Sequence, residues 1–102
     1  MKTKKSGTMA SAAVPTDFVL KQNYPNPFNP ATEISYAVPR DVHVTVKIYN
    51  VQGAEVATLV DADQMASFYT VSWNAEGLAS GVYFCTLKAG EFEKTIKMAF
   101  VK

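Results

Sequence analysis

From Phe18 onward, apolar and polar side chains alternate in short runs separated by turn-forming residues. Ile34, Tyr36 and Val38 alternate with Ser35 and Ala37, and Pro39 ends that run because proline removes a ladder donor. Val44, Val46 and Ile48 alternate with Thr45, Lys47 and Tyr49, the pattern of a strand with one wet face. Asn50–Gly53 reads as a turn. Glu55–Val60 follows with less regular apolar spacing, which predicts an edge or bulged strand. Asp61–Gln64 then reads as a polar break. Tyr69, Val71 and Trp73 alternate with Thr70 and Ser72; Asn74–Gly77 turns the chain, and Ser80-Gly81 starts the aromatic-rich run Val82–Leu87. Lys88–Glu91 is a short hairpin connection, after which Ile96, Met98 and Phe100 share one face and Glu93, Thr95 and Lys97 the other.

No window carries a helical stripe. The pattern yields six strands, or seven if Phe18–Gln22 also pairs, with turn signals every 8–12 residues or so. That spacing predicts an all-β fold, an antiparallel immunoglobulin-like β-sandwich of about seven strands. Trp73 is the expected core anchor, without the paired cysteines that flank the tryptophan of antibody domains. Gly53, Gly77 and Gly81 are expected to serve the turns and the start of a strand, where glycine supplies backbone conformations closed to other residues.

Residues 1–17 show no sustained periodicity. A lysine cluster precedes an Ala-rich stretch, but Met9–Val14 is interrupted by Ser11 and too short for a signal-peptide core. They read as a leader and linker without stable structure, and residues 18–102 as the folded domain.

Of the 102 residues, 48% are hydrophobic and 19% charged, the composition of a folded chain. The formal charge is +1, yet residues 17–102 hold seven Lys and Arg against nine Asp and Glu, a balance of −2. No basic face is visible that could displace counterions from phosphate, so nucleic acid is not an expected partner. No apolar run approaches the roughly 18–20 residues of a membrane-spanning helix. The single cysteine, Cys85, excludes an internal disulfide, and the single histidine, His43, excludes a histidine-rich metal site.

Little chemistry can be assembled from what remains. His43 alternates with the wetter strand face and reads as a surface residue, while Cys85 alternates with Tyr83 and Leu87 and reads as a buried structural thiol. Asp61 and Asp63 form a D-x-D pair, but the glycine and bidentate glutamate of a calcium loop do not follow. Tyr24, Phe28, Phe68, Tyr69 and Trp73 would stack sugars only as an exposed row, whereas aromatics at strand spacing usually belong to the core. No catalytic residues, metal or cofactor are expected, and the chain does not read as an enzyme.

Asn23–Pro30 is the most unusual stretch, with Pro25, Pro27 and Pro30 crowded together. These prolines bar it from a central strand, and Asn26 and Asn29 favour local turns. From the residues alone it is a stiff crossing that delivers the chain into the Ile34 strand.

The run Leu20–Ile34 resembles the opening of a type A C-terminal sorting domain of the type IX (Por) secretion system. Val46–Gly53, with Glu55-Val56 and Thr58-Leu59 after it, is similar to that family's central strand–turn–strand. Val71–Phe84 is similar to its Trp-containing turn and Ser-Gly-Val-Tyr strand, and Lys97–Lys102 to its basic–apolar–basic end. Two positions depart from the pattern: Ala66-Ser67 stands where Ala-Gly is common, and Cys85 where an aromatic is common.

The resemblance implies an address rather than a reaction. Such a domain directs a larger N-terminal cargo from the periplasm across the outer membrane to the cell surface or medium. The implied partners are the cargo, the outer-membrane secretion machinery and a sortase-like protease, with cleavage falling around Ala10–Asp17. Pro25, Asn26, Pro27, Phe28 and Pro30 become candidates either for contact with the translocon or for shaping the loop alone. Lys97 and Lys102 flank the last apolar face, have no core role, and are candidates for receptor contact. A purely structural immunoglobulin-like or carbohydrate-binding module of a secreted protein is the alternative. A final strand at a sheet edge is also prone to pair with another copy, so a homodimer through that edge is a further expectation.

Overall fold

The strands form where side chains alternate, because period-two patterning turns one set of residues toward a common core and the other toward water. The computed structural model describes residues 14–102 and contains seven strands: β1 (Val19–Leu20), β2 (Ala31–Val38), β3 (Val42–Tyr49), β4 (Glu55–Gln64), β5 (Ser67–Asn74), β6 (Gly81–Ala89) and β7 (Phe92–Phe100). They make a three-stranded sheet in the order β1-β2-β5 and a four-stranded sheet in the order β4-β3-β6-β7, antiparallel throughout. The all-β, immunoglobulin-like expectation holds. The short β1 is the seventh strand, pairing Val19 with Ala37 and Leu20 with Tyr36. The expectation of an unstructured leader over residues 1–17 falls mostly outside the described residues.

The inward sets of the two sheets meet as the alternation predicts. Ile34, Val38, Val44, Val46, Ile48, Leu87 and Met98 have no exposed surface, and Trp73 is 5% exposed. Each such aliphatic side chain contributes about 1.5–3 kcal/mol by leaving water. The sheets are also joined by a polar link: Tyr36 of β2 donates its hydroxyl to Gln64 Oε1 of β4 at 2.6 Å. Burial pushes that phenol's pKa above its ordinary value.

Two features depart from the alternation. Asp61–Gln64 is not a break but the end of β4, held in register as Asp61 faces Thr45 and Asp63 faces His43. Its polarity reflects a solvent-facing cross-strand cluster rather than a turn. The irregular apolar spacing of β4 comes from two register shifts against β3, between Val46 and Lys47 and between Ile48 and Tyr49. Each inserts an extra β4 residue, so the expected bulged edge strand is present.

The turns follow their side chains. Asn50 Oδ1 accepts hydrogen bonds from the backbone N–H of Gln52 at 2.9 Å and of Ala54 at 3.0 Å, and Gly53 completes the turn at φ +83°. Gly77 and Gly81 stand at φ +91° and +151°. The Tyr83 hydroxyl donates to the Ala79 carbonyl at 2.7 Å, a bond like that of the tyrosine corner in immunoglobulin-like sandwiches.

Candidate functional site

Between β1 and β2 the chain leaves the three-stranded sheet and reaches across to the outward edge of β7. Pro25, Pro27 and Pro30 have no N–H to offer a ladder, and each follows a cis peptide bond. Phe28 is left to make the backbone contact. Its N–H donates to the Ala99 carbonyl at 2.9 Å, and its carbonyl accepts from the Val101 N–H at 3.0 Å. This is a short parallel bridge between Phe28 and Phe100.

Side chains extend the seam. Asn26 Oδ1 accepts from the Ala99 N–H at 2.9 Å, and Gln22 Nε2 donates to the Lys97 carbonyl at 2.7 Å. At the other side, Tyr24 and Glu33 exchange backbone hydrogen bonds at 3.0 and 2.9 Å, and the Ala75 N–H donates to the Pro30 carbonyl at 2.9 Å. The segment is thus a strap fixed to both sheets.

A buried amide shapes the strap from below. Asn23, 3% exposed, donates through Nδ2 to the Pro25 carbonyl at 3.1 Å and to Thr32 Oγ1 at 3.0 Å. Thr32, also buried, donates its hydroxyl to the same Pro25 carbonyl at 2.8 Å. Gln22 Nε2 donates to Asn23 Oδ1 at 2.7 Å. A buried asparagine needs such partners, since an unsatisfied one costs about 1–3 kcal/mol. Asn23, Gln22 and Thr32 were not singled out from the sequence. The only signal for them was a polar pair before the first Tyr-Pro.

The candidate residues separate into two groups. Pro25, Asn26, Pro27 and Pro30 are exposed, as are Lys97 and Lys102, so the Pro-rich opening and the last strand present one continuous surface. Phe28, in contrast, is 1% exposed. Its ring stacks on Phe100 at a centroid distance of 5.2 Å and lies tilted against Trp73 at 5.6 Å. In the folded domain Phe28 holds the strap down and does not face solvent. The Lys102 N–H donates to Ser80 Oγ at 3.1 Å, which ties the end of this strand to the start of β6.

The remaining chemistry-bearing residues lie elsewhere. His43 is exposed on β3, its Nδ1 2.7 Å from Asp63 Oδ1 and its Nε2 2.8 Å from Asp61 Oδ1. The hydrogen bond to Asp63, then that to Asp61, raise its pKa above 6.5. The carboxylates sit at opposite edges of the ring and do not converge on one point, and no set of metal-ligating side chains occurs among the described residues. Cys85 is fully buried, and loss of solvation pushes its thiol up to about 12. Of the aromatics considered for sugar stacking, Phe28 and Trp73 are core residues. Tyr24 and Phe68 are 80% and 59% exposed but stand beside Glu33 and Ala37 of β2, roughly 13 Å apart along the strand, so they form no continuous platform.

The surface made by the strap and β7 offers shape, fixed backbone and two lysines, which suits recognition by another protein. A family model described as a secretion system C-terminal sorting domain matches residues 22–102, which include the strap and every strand except β1. No curated protein and no solved structure matches the chain.

Proposed function

Because the chain belongs to the family of type IX secretion C-terminal sorting domains, we propose that its strap and last strand form the surface by which the outer-membrane machinery recognises an attached cargo. The sorting role sends that cargo across the outer membrane toward the cell surface or medium. On this reading the cargo lies N-terminal to the domain and passes through the periplasm. A sortase-like protease cuts the linker around Ala10–Asp17, and the domain itself performs no reaction.

One observation carries the reading. The two stretches most distinctive in sequence, Asn23–Pro30 and Lys97–Lys102, are far apart in the chain yet are joined by the hydrogen bonds of Phe28 and Asn26 to β7. Folding leaves Pro25, Asn26, Pro27, Pro30, Lys97 and Lys102 on one exposed surface that core packing does not require. A sugar-binding reading lacks its aromatic row.

The experiment is export of a periplasmic reporter fused ahead of residues 1–102, in a host with the type IX system. Delivery to the surface or medium is expected for the intact domain. It should be lost on deletion of Ile96–Lys102 and reduced in the Lys97→Ala/Lys102→Ala variant. A folded fusion that stays in the periplasm overturns the proposal.

A further inference from the structure

The chain enters the domain through a row of small anchors. Pro15 is buried, Phe18 packs half-buried against the core, and the Lys21 N–H donates to the Ser35 carbonyl at 3.0 Å. Between the first two, Thr16 and Asp17 expose their side chains, yet the chain is tied down on either side of them. Exposed side chains do not by themselves open such a stretch to an enzyme, because cutting requires the backbone to leave the surface.

Phe18 is held from two directions. Its ring stacks on that of Phe92, the first residue of β7, at 5.2 Å between centroids and 12° from parallel. The guanidinium of Arg40, between β2 and β3, lies over the Phe18 ring at 5.4 Å from its centroid. Arg40 is exposed, and among the described residues it makes no ion pair, so the ring is its visible partner. The turn before β7 leaves room for it. A Cβ on Gly90 would stand 3.1 Å from Arg40 Nη2 and 3.2 Å from Val42 Cγ2. A stacked pair and a cation over a ring each add to simple burial, and here both act on one side chain.

We propose that Arg40 and Phe92 form a latch on Phe18 that sets how far into the chain a protease can cut. The stretch from Pro15 to Leu20 is withheld, so cleavage falls ahead of Pro15 and spares Thr16 and Asp17 despite their exposure. A cut inside the stretch would require Phe18 to leave both partners and would strip the buried Leu20 from β2. In the cleavage one backbone C–N bond breaks. The carbonyl carbon takes the hydroxyl of water, or an amine nitrogen, and the freed nitrogen takes the proton as the new amino terminus. A physiological cut rests on the proposed processing of the linker, whereas the latch belongs to the chain by itself.

Limited digestion of the whole chain with a broad-specificity serine protease, with mass mapping of the new amino termini, tests the latch. Early products trimmed from the N-terminal side should begin at Pro15 or ahead of it. Arg40→Ala alters only an exposed side chain and should speed cutting between Thr16 and Val19 about tenfold, since the rate follows the population of the opened form. Phe92→Ala should speed it at least as much, and Phe92→Tyr, which keeps the ring, should retain protection. Val51→Ala, an exposed position in the turn at the far end of β3, should leave the pattern unchanged. The buried Cys85 thiol reports opening of the whole core and should stay unreactive in Arg40→Ala. Early products beginning between Asp17 and Leu20, an Arg40→Ala chain cut no faster there, or loss of protection in Phe92→Tyr or Val51→Ala would each overturn the proposal. So would faster cutting of Arg40→Ala matched by reaction of Cys85. Should Phe92→Ala fail to fold, Arg40→Ala and Phe92→Tyr decide the outcome. A fused reporter that stays in the periplasm tells against sorting and leaves the digestion pattern of the purified chain untouched.

Discussion

Phe28 and Phe100 stack with their ring planes 21° from parallel, and each is almost wholly withdrawn from water. Trp73 continues the cluster from Phe28, and Tyr83 meets Trp73 edge-on at 5.3 Å, so four aromatics link the strap, β5, β6 and β7. Phe28→Ala should cost about 3–5 kcal/mol of stability in denaturant unfolding, because it empties the centre of this cluster. A loss below about 1 kcal/mol would show that the strap is not packed as described.

Asn26 acts on the same seam from outside. Asn26→Ala removes one exposed hydrogen bond and should cost only about 0.5–1.5 kcal/mol globally. Its clearer signature is local. Amide exchange at Ala99, whose N–H loses its acceptor, should quicken far more than exchange at Ile34 or Val46 in the core.

The pH dependence follows from His43. Its folded pKa is raised above the unfolded value of about 6.5, so the protonated ring is bound more tightly in the native state. The stabilisation is therefore complete below about pH 6.5 and disappears as pH rises through the folded pKa. An NMR titration of the ring should give a midpoint above 6.5 that falls in Asp61→Asn and falls further in Asp63→Asn. Because all three side chains are exposed, added salt should shrink the shift.

Cys85 offers a probe of opening. Its thiol is buried and held at about 12, so a thiol reagent near pH 8 should leave the native protein unmodified and react only after unfolding. Rapid modification of the native state would contradict the closed core between β3 and β7.

Substitutions at Lys97 and Lys102 test the proposed recognition apart from folding. Both are exposed and neither makes an ion pair among the described residues, so Lys97→Ala and Lys102→Ala should each change stability by less than about 0.5 kcal/mol. The same changes should lower export of a fused reporter. A matching drop in melting temperature would assign the lysines to the fold instead.

Where a strand has one wet face, alternation placed it well: Val44, Val46 and Ile48, and Ile96, Met98 and Phe100, all point inward as their spacing requires. Asp61–Gln64 was misread because a polar run on an edge strand looks like a turn until its partner, here His43, is known. The clamp on His43 needs the β3–β4 register, which contains two bulges that no local pattern announces. Phe28 was visible as distinctive but not as core, since its flanking prolines and asparagines mark exposed chain and its packing partners lie on β5 and β7. The polar support from Asn23 and Thr32 is non-local in the same way.

The hydrogen bond between Asn26 and Ala99 spans 73 positions in the chain, and it carries a consequence for the order of events. A polypeptide made from its N-terminus offers the prolines long before it offers β7, and until β7 docks the strap is held on one side alone, by Tyr24 on Glu33, by Asn23 and Thr32 on the Pro25 carbonyl and by Ala75 on Pro30. The side of the strap fixed by Asn26 and Phe28 is therefore completed only once the last strand has been synthesised and has found its place. On the proposed recognition, a receptor reading that seam would pass a finished domain and ignore a nascent or truncated one, which would make the strap a completion mark for the whole sandwich.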